Sequence, residues 1–201
     1  MPRNDSTVDT LDLLHRRTSI PAKFLREPAP AGEELDAIFK AAVTAPDHGA
    51  LRPWRFLVVE GDARKKLGDV FAEAIVKRDA DTPPDQIERQ RDKPMRSPLL
   101  VVVVATIEPN IAKVPESEQL LSAGAAAQHM QLAAQAMGYG SVWVTGPNAT
   151  DATVRAALGV QNHDEIVGFL HFGTPSIGPP LVTRPDPKQF VEQWTGPAAE
   201  Q

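Results

Sequence analysis

The spacing of apolar residues along the chain predicts helices and strands that follow one another in an irregular order. Leu35, Ile38 and Ala42 recur at intervals of three and four, which is typical of one helix face, and Pro46 ends this helix. The run LLVVVVAT at 99–106 is almost continuously apolar and predicts a strand buried on both faces. The same reasoning predicts further helices over 8–17, 62–80, 116–137 and 151–158, and further strands over 54–61, 141–146 and 165–173.

Two segments show neither the apolar spacing of a helix nor that of a strand. Residues 82–96 are polar and contain prolines, which predicts a mobile flap with some helix. The tail at 174–194 is Pro-rich and carries apolar residues that need a surface to pack against. No internal repeat or change in composition marks a boundary. Because helices and strands do not alternate regularly, we expect an α+β fold in one domain, 1–201, with flexible ends at about 1–6 and 196–201.

The composition excludes several classes of site and partner. The 201 residues include no cysteine, which removes disulfides, thiolate metal sites and cysteine nucleophiles. The net charge of −5 argues against general nucleic-acid binding, since no basic field would attract a phosphate backbone. The first ten residues lack an apolar leader core, and the run PLLVVVVAT is too short to span a bilayer as a helix. We therefore expect a cytoplasmic protein that does not associate with membranes.

The stretch HRRTS, 15–19, is a candidate anion-binding site at the end of the first predicted helix. Guanidinium groups match phosphate oxygens two at a time, and the hydroxyls of Thr18 and Ser19 add neutral donors. Arg16 and Arg17 would also suit a solvated basic helix end, where cations interact favourably with the helix dipole. The residue types alone favour the solvated end slightly and leave the anion site open.

The loop after the second predicted helix, TAPDHGALRPWRF at 44–56, delivers His48, Arg52 and Trp54. His48 could bond to a ring system, although a lone histidine is more often a structural hydrogen-bonding group. No histidine stands at metal-ligand spacing beside a carboxylate. The chain also lacks a nucleophile elbow, a phosphate loop and a paired-carboxylate site, so an enzyme of this sequence would need a bound cofactor.

The middle of the longest predicted helix, 122–138, is rich in alanine and glycine. Small side chains there suit tight core packing, and they equally suit a subunit interface or the floor of a cofactor site. Composition does not decide between these interpretations.

Several motifs in a fixed order resemble those of the nitroreductase family of flavin enzymes, in particular its small bacterial branch, the minimal nitroreductases. After the first and second helices come HRRTS and APDHGALRPWRFLVVEG. The long helix and the strand that follows it read SAGAAAQHMQLAAQAMGYGSVWVTG, the last strand reads IVGFLHFGTP, and RPDP lies in the tail. The resemblance covers about 11–194.

The resemblance implies an FMN-binding homodimer with a mostly antiparallel central sheet flanked by helices and a C-terminal tail that extends onto the partner subunit. Arg16, Thr18 and Arg184 correspond to the positions that bind the FMN phosphate, and Arg17 to a position along the flavin. Other flavin contacts are implied at His48 and Arg52 (reaching the partner's flavin), Trp143, Val144 and Thr145. A nicotinamide contact is implied at Ala133, Ala134, Gln135, Ala136, Met137 and Gly138.

The resemblance also implies an activity, namely hydride transfer from NADH or NADPH to flavin, followed by two-electron reduction of a nitroaromatic or quinone acceptor with ping-pong kinetics. A cation near flavin N1 and O2 would stabilise the reduced flavin, and Arg17 and Arg52 are the candidates. Arg52 stands where the family pattern has glutamine, and Val144 where arginine is common. These departures leave two alternatives open: a specialised flavin reaction, or a flavin-holding, partner-binding dimer without turnover.

Overall fold

Five antiparallel strands form the central sheet of the computed structural model, which describes residues 10–197. The strands are β1 Leu25–Arg26, β2 Arg55–Glu60, β3 Leu99–Ala105, β4 Gly140–Val144 and β5 Glu165–Pro175. β5 is central, because it pairs with β3, with β4 and, at its end, with β1. β2 extends the sheet beyond β3. The α+β class and the antiparallel sheet expected from the sequence are thereby confirmed.

Six α-helices surround the sheet in the described part of the chain. They are α1 Thr10–Arg16, α2 Glu33–Ala42, α3 Asp62–Arg78, α4 Pro84–Arg91, α5 Glu116–Ala136 and α6 Ala152–Ala157. The first helix matches the prediction from Thr10 onward. Val8, the expected flexible end at 1–6 and residues 198–201 of the expected flexible end at 196–201 lie outside the described residues. α2 ends at Ala42, four residues before Pro46.

The two faces of the sheet carry different helices, because side chains alternate between faces along β3 and β5. On one face, Val101 and Phe172 pack with Met130 of α5 and Ile38 of α2. On the other face, Val102 and Phe169 pack with α3 and α6. Together these two clusters bury the all-apolar β3 on both sides, as its sequence predicts.

The Ala/Gly-rich middle of α5 lies in the core of this chain. Ala123, Ala126, Ala127 and Ala134 are fully buried, and their small side chains let the helix approach the sheet closely. For these residues the tight-packing interpretation is correct.

The segment 82–96 differs from the predicted flap. It folds as α4 followed by a 3₁₀ turn, Lys93–Arg96, and it packs along α3. The close approach depends on Gly68, because a Cβ there would collide with the backbone carbonyl of Arg91. Thr82, Pro94 and Ser97 are buried. Prolines at helix starts, rather than disorder, explain the composition of this segment.

Beyond β5 the described tail is extended and exposed. It contains one short 3₁₀ helix, Pro187–Gln189. Leu181, Phe190 and Trp194 keep 104%, 72% and 81% of their reference surface, so its large apolar side chains have little contact within this chain.

Candidate functional site

A cavity of about 770 Å³ opens over β4 and the adjoining part of β5, on the face of the sheet that carries α3. We call it the β4 cavity. Its floor is mostly apolar and is formed by Phe71, Leu100, Val142, Phe169 and the buried ring of His171. A volume of this size and a largely apolar floor are typical of small-molecule and cofactor sites.

Cations without matching carboxylates line the wall of the β4 cavity. Lys23 follows α1, while Lys93 and Arg96 lie on the 3₁₀ turn before β3. No acidic residue within 10–197 lines the cavity, and neither Lys93 nor Arg96 forms an ion pair there. Burial, and then the charges of Arg96 and Arg78, lower the pKa of Lys93. An anion in the cavity would offset this repulsion.

One polar side chain lies in the floor of the β4 cavity. Nδ1 of His171 is 2.7 Å from Oγ of Ser97, and both residues are buried. Burial, together with the nearby charge of Arg96, lowers the pKa of His171 from 6.5 to about 4. The imidazole is therefore neutral at physiological pH.

A second, smaller pocket of about 200 Å³ lies on the other side of the α1–β1 connection. Arg16 and Thr18 line it. A guanidinium NH2 of Arg184 donates to the backbone carbonyl of Arg17, which brings the tail arginine back to the first motif across 167 positions. We call these residues (Arg16, Arg17, Thr18 and Arg184) the arginine group. Arg16 also pairs with Asp12 at 2.8 Å on the exposed face of α1.

The side chains of the predicted flavin-lining residues lie on different faces of the sheet. Val144 and Thr145 line the β4 cavity, as does Ser19 from the HRRTS stretch. The side chain of Trp143 lies on the opposite face, where its Nε1 donates to the carbonyl of Val167 at 3.0 Å. A ligand in the β4 cavity could therefore meet the backbone of Trp143 but not its ring.

His48 and Arg52 line neither cavity. Nδ1 of His48 lies 2.7 Å from a carboxylate oxygen of Glu118 at the start of α5. Arg52 is exposed, and its backbone N–H donates to Asp47 at 2.7 Å. The structure of one chain does not bring these residues to the β4 cavity or to the arginine group.

The resemblance implies a nicotinamide contact at 133–138. This segment forms the C-terminal end of α5 and the turn after it, beside the smaller pocket. Gln135 and Gly138 line this pocket, and the side chain amide of Gln135 donates to the carbonyl of Leu13 at 3.0 Å. Ala134 is fully buried. Ala133, Ala136 and Met137 line neither cavity.

Sequence reasoning missed Lys23, Lys93, Arg96 and His171. Lys93 and Arg96 lie in the segment interpreted as a flap, and their signal was a pair of cations immediately before a buried strand. His171 lies in the otherwise apolar strand FLHFG, where a single histidine among buried residues was the only clue.

Within residues 10–197, no cluster of histidine, aspartate and glutamate side chains is arranged to hold a metal ion. None of the helices in this range combines the length and the apolar character that a membrane crossing requires.

Comparisons with known proteins agree with the fold and show the family of the chain. Residues 14–174 match the model of the Nitroreductase family. The Escherichia coli (strain K12) protein named "Putative NAD(P)H nitroreductase YdjA" is 42% identical over 185 residues, which are 92% of this chain and 98% of that protein. A nitroreductase-like family protein from Bacillus cereus has a similar fold, with a TM-score of 0.81 at 23% identity over 95% of this chain and 98% of that one. A Desulfovibrio desulfuricans protein described as a "putative nitroreductase in complex with FMN" gives a TM-score of 0.68 at 23% identity, covering 94% of this chain and 98% of that one.

Proposed function

Because the chain belongs to the nitroreductase family, we propose that it is an FMN-dependent NAD(P)H oxidoreductase that reduces nitroaromatic or quinone-type acceptors. The observation that carries the proposal is the β4 cavity, whose wall holds three cations and, among residues 10–197, no carboxylate. Such a cavity suits a planar ring system that bears negative charge. The name of the relative from Escherichia coli, "Putative NAD(P)H nitroreductase YdjA", supports the nicotinamide and nitroreductase parts of the proposal.

The residues around the β4 cavity fit FMN in chemical type. Arg16, Thr18 and Arg184 offer guanidinium and hydroxyl donors for a phosphate. The exposed pair of Arg16 with Asp12 does not prevent this, since surface ion pairs contribute about 0–1 kcal/mol and exchange readily. Thr18 lines the smaller pocket and its neighbour Ser19 lines the β4 cavity, so a ligand with its ring in the cavity would pass this stretch to bring its phosphate to the arginine group.

The chain would supply binding, orientation and electrostatics, while FMN supplies hydride acceptance from NADH or NADPH and two-electron transfer to the acceptor. Val144 and Thr145 would flank the ring at the open end of β4. Lys93 and Arg96 would stabilise negative charge on the ring, a role for which the sequence suggested Arg17 and Arg52. Reductant and acceptor would occupy the same space in turn, which gives ping-pong kinetics.

We expect the purified protein to bind FMN, and the exposed tail offers a matched pair of variants. Arg184→Gln removes a guanidinium beside the phosphate and should weaken FMN binding about tenfold, because a hydrogen bond to a charged group contributes about 1.5–3 kcal/mol. Lys188→Gln removes the same charge from the same tail and should leave the dissociation constant within about twofold. Quenching of flavin fluorescence measures both. A wild-type protein that takes up no FMN would contradict the proposal.

Turnover is tested under anaerobic conditions with the FMN-loaded protein. Addition of NADH or NADPH should bleach the yellow colour, and a quinone or nitroaromatic acceptor should restore it. A protein that stays yellow with both nicotinamides would instead support the flavin-holding role. The residues that favour this alternative are Arg52 and Val144, which depart from the family pattern.

We also propose a homodimer whose second chain completes each site. The exposed apolar side chains of the tail support it, because Phe190 and Trp194 would be buried by a partner subunit. His48 and Arg52, which lie away from the β4 cavity of their own chain, would reach the partner's flavin.

If the tail packs on a partner subunit, Trp194→Ser should raise the dimer dissociation constant at least tenfold, since it removes a large aromatic from the interface. Val76→Ser, on the exposed surface of α3, removes apolar area elsewhere and serves as the control. Sedimentation equilibrium measures the constant. A wild-type monomer that holds FMN tightly would exclude a shared site.

A further inference from the structure

The pairing of Ser97 with His171 defines which nitrogen of the imidazole carries the proton. Oγ of Ser97 donates its single proton to the backbone carbonyl of Leu99 at 2.9 Å. The same oxygen must then accept from Nδ1 of His171 at 2.7 Å. The neutral ring is therefore the Nδ1–H tautomer, and Nε2 carries a free lone pair.

Nε2 of His171 has no hydrogen-bond partner within residues 10–197, although the residue retains only 5% of its reference surface. Among the side chains of residues 10–197, one fully buried nitrogen or oxygen lacks a hydrogen-bond partner, and that atom is Nε of Arg64. Nε2 of His171 is therefore accessible, and the space that reaches it is the β4 cavity, which His171 lines. An acceptor that opens into a cavity is available to a donor on a bound molecule, and to water when no molecule is bound.

The floor around this nitrogen is apolar, and the charge nearby is that of Arg96 in the cavity wall. The neighbouring side chains are those of Leu100, Val142 and Phe169, none of which carries a polar atom. A ligand group that meets Nε2 must therefore supply a proton donor, and it gains directional recognition because no other side chain of the floor competes for it.

We propose that His171, held by Ser97, is a positioning residue that accepts a hydrogen bond from an O–H or N–H donor of the molecule bound in the β4 cavity. The proposal rests on the proposed FMN site and adds to it the orientation of the ligand. A lone pair in the floor repels phosphate oxygens, so it disfavours a pose in which the phosphate lies against the floor. Two parts of FMN carry suitable donors: the ribityl hydroxyls and the flavin N3–H.

The decisive comparison is between two variants at position 171, each measured for FMN affinity by fluorescence quenching. His171→Phe keeps a planar ring of similar volume but removes the acceptor, and it should weaken FMN binding about tenfold, or about 1.4 kcal/mol. His171→Gln retains an acceptor oxygen and should bind within about threefold of wild type. Equal affinities of wild type and His171→Phe would overturn the proposal, whereas absence of FMN binding by wild type would overturn the proposed function instead.

The two donor sources are separated with FMN methylated at N3. If N3–H is the donor, this analogue should bind wild type about tenfold more weakly than FMN, and His171→Phe should not discriminate between them. If a ribityl hydroxyl is the donor, the tenfold difference between wild type and His171→Phe should persist with the analogue.

A spectroscopic measurement on the wild-type protein keeps the test independent of how the variants fold. With ¹⁵N-labelled histidine, the His171 resonances are assigned by their loss in His171→Gln. The ligand-free protein should show a protonated Nδ1 and an unprotonated Nε2. Addition of FMN should shift Nε2 in the direction of hydrogen-bond acceptance without protonating it. An Nε2 resonance that does not move at saturating FMN would contradict the proposal.

Discussion

Replacing Gly168 with alanine should destabilise the protein by about 3 kcal/mol or more. A Cβ at position 168 would overlap Nε1 of the Trp143 indole and would lie 2.5 Å from its Cδ1. The indole cannot yield without cost, because its Nε1 donates to the carbonyl of Val167 and its ring packs against the α2–α5 core. Overpacking typically costs about 1–3 kcal/mol, and a broken hydrogen bond with a buried donor adds about 1–3 kcal/mol. Equilibrium denaturation in urea measures the loss.

Gly124 provides the matched control, because it faces the same indole from α5. A Cβ there would lie 3.9 Å from Cη2 of Trp143, which is an ordinary van der Waals contact. Gly124 lies within a helix, where alanine is favoured over glycine by about 1 kcal/mol. Gly124→Ala should therefore leave the free energy of unfolding unchanged or raise it.

A second change shows whether the indole is the cause. Trp143→Leu gives up the indole and its hydrogen bond, so Gly168→Ala should cost much less when it is combined with Trp143→Leu than in the wild type. A Gly168→Ala protein within about 0.5 kcal/mol of wild type would show that Trp143 does not occupy the space over Gly168.

The helices and strands with a clear pattern of apolar residues were predictable from the sequence. β3 is apolar throughout, so its burial on both faces follows from its composition. α2 was predictable from its three- and four-residue spacing. The sequence predicts a flap with some helix over 82–96, and the helical part is present as α4. The close packing on α3 was not predictable, because it depends on the absence of a side chain at Gly68.

Residue types alone left HRRTS open as an anion site, and the resemblance to a family implied that Arg184 joins it. The structure brings Arg184 to the backbone carbonyl of Arg17. That proximity joins residues 167 positions apart, and no local pattern encodes it. Strand alternation, once the register is known, directs Val144 towards the β4 cavity and Trp143 away from it.

The distribution of charge matters more for this protein than its total. The chain has a net charge of −5, yet Lys23, Lys93 and Arg96 line one cavity without a carboxylate among the described residues. An anion is thus attracted to one place on a protein that otherwise repels anions weakly. A net charge of −5, which disfavours general nucleic-acid binding, is compatible with a site for one small anion.

Burial of neutral His171 should make the ligand-free protein lose about 3 kcal/mol of stability as the pH falls from about 6.5 to about 4. Its pKa is about 4 in the folded protein and 6.5 when it is exposed on unfolding, because burial and, secondarily, the charge of Arg96 disfavour the imidazolium. Between these values the unfolded chain binds a proton that the folded chain does not, so stability decreases as pH decreases. Each pKa unit corresponds to about 1.4 kcal/mol. Above about pH 7 the ring is neutral in both states and contributes no slope.

The measurement is the difference in free energy of unfolding between wild type and His171→Gln, taken by urea denaturation at several pH values from about 8 to about 4. Carboxylates and the other four histidines are common to both proteins, so their titration largely cancels in the difference. The wild type should lose stability relative to the variant as the pH falls through this range. A difference that stays constant across the whole range would show that His171 is not held neutral by burial.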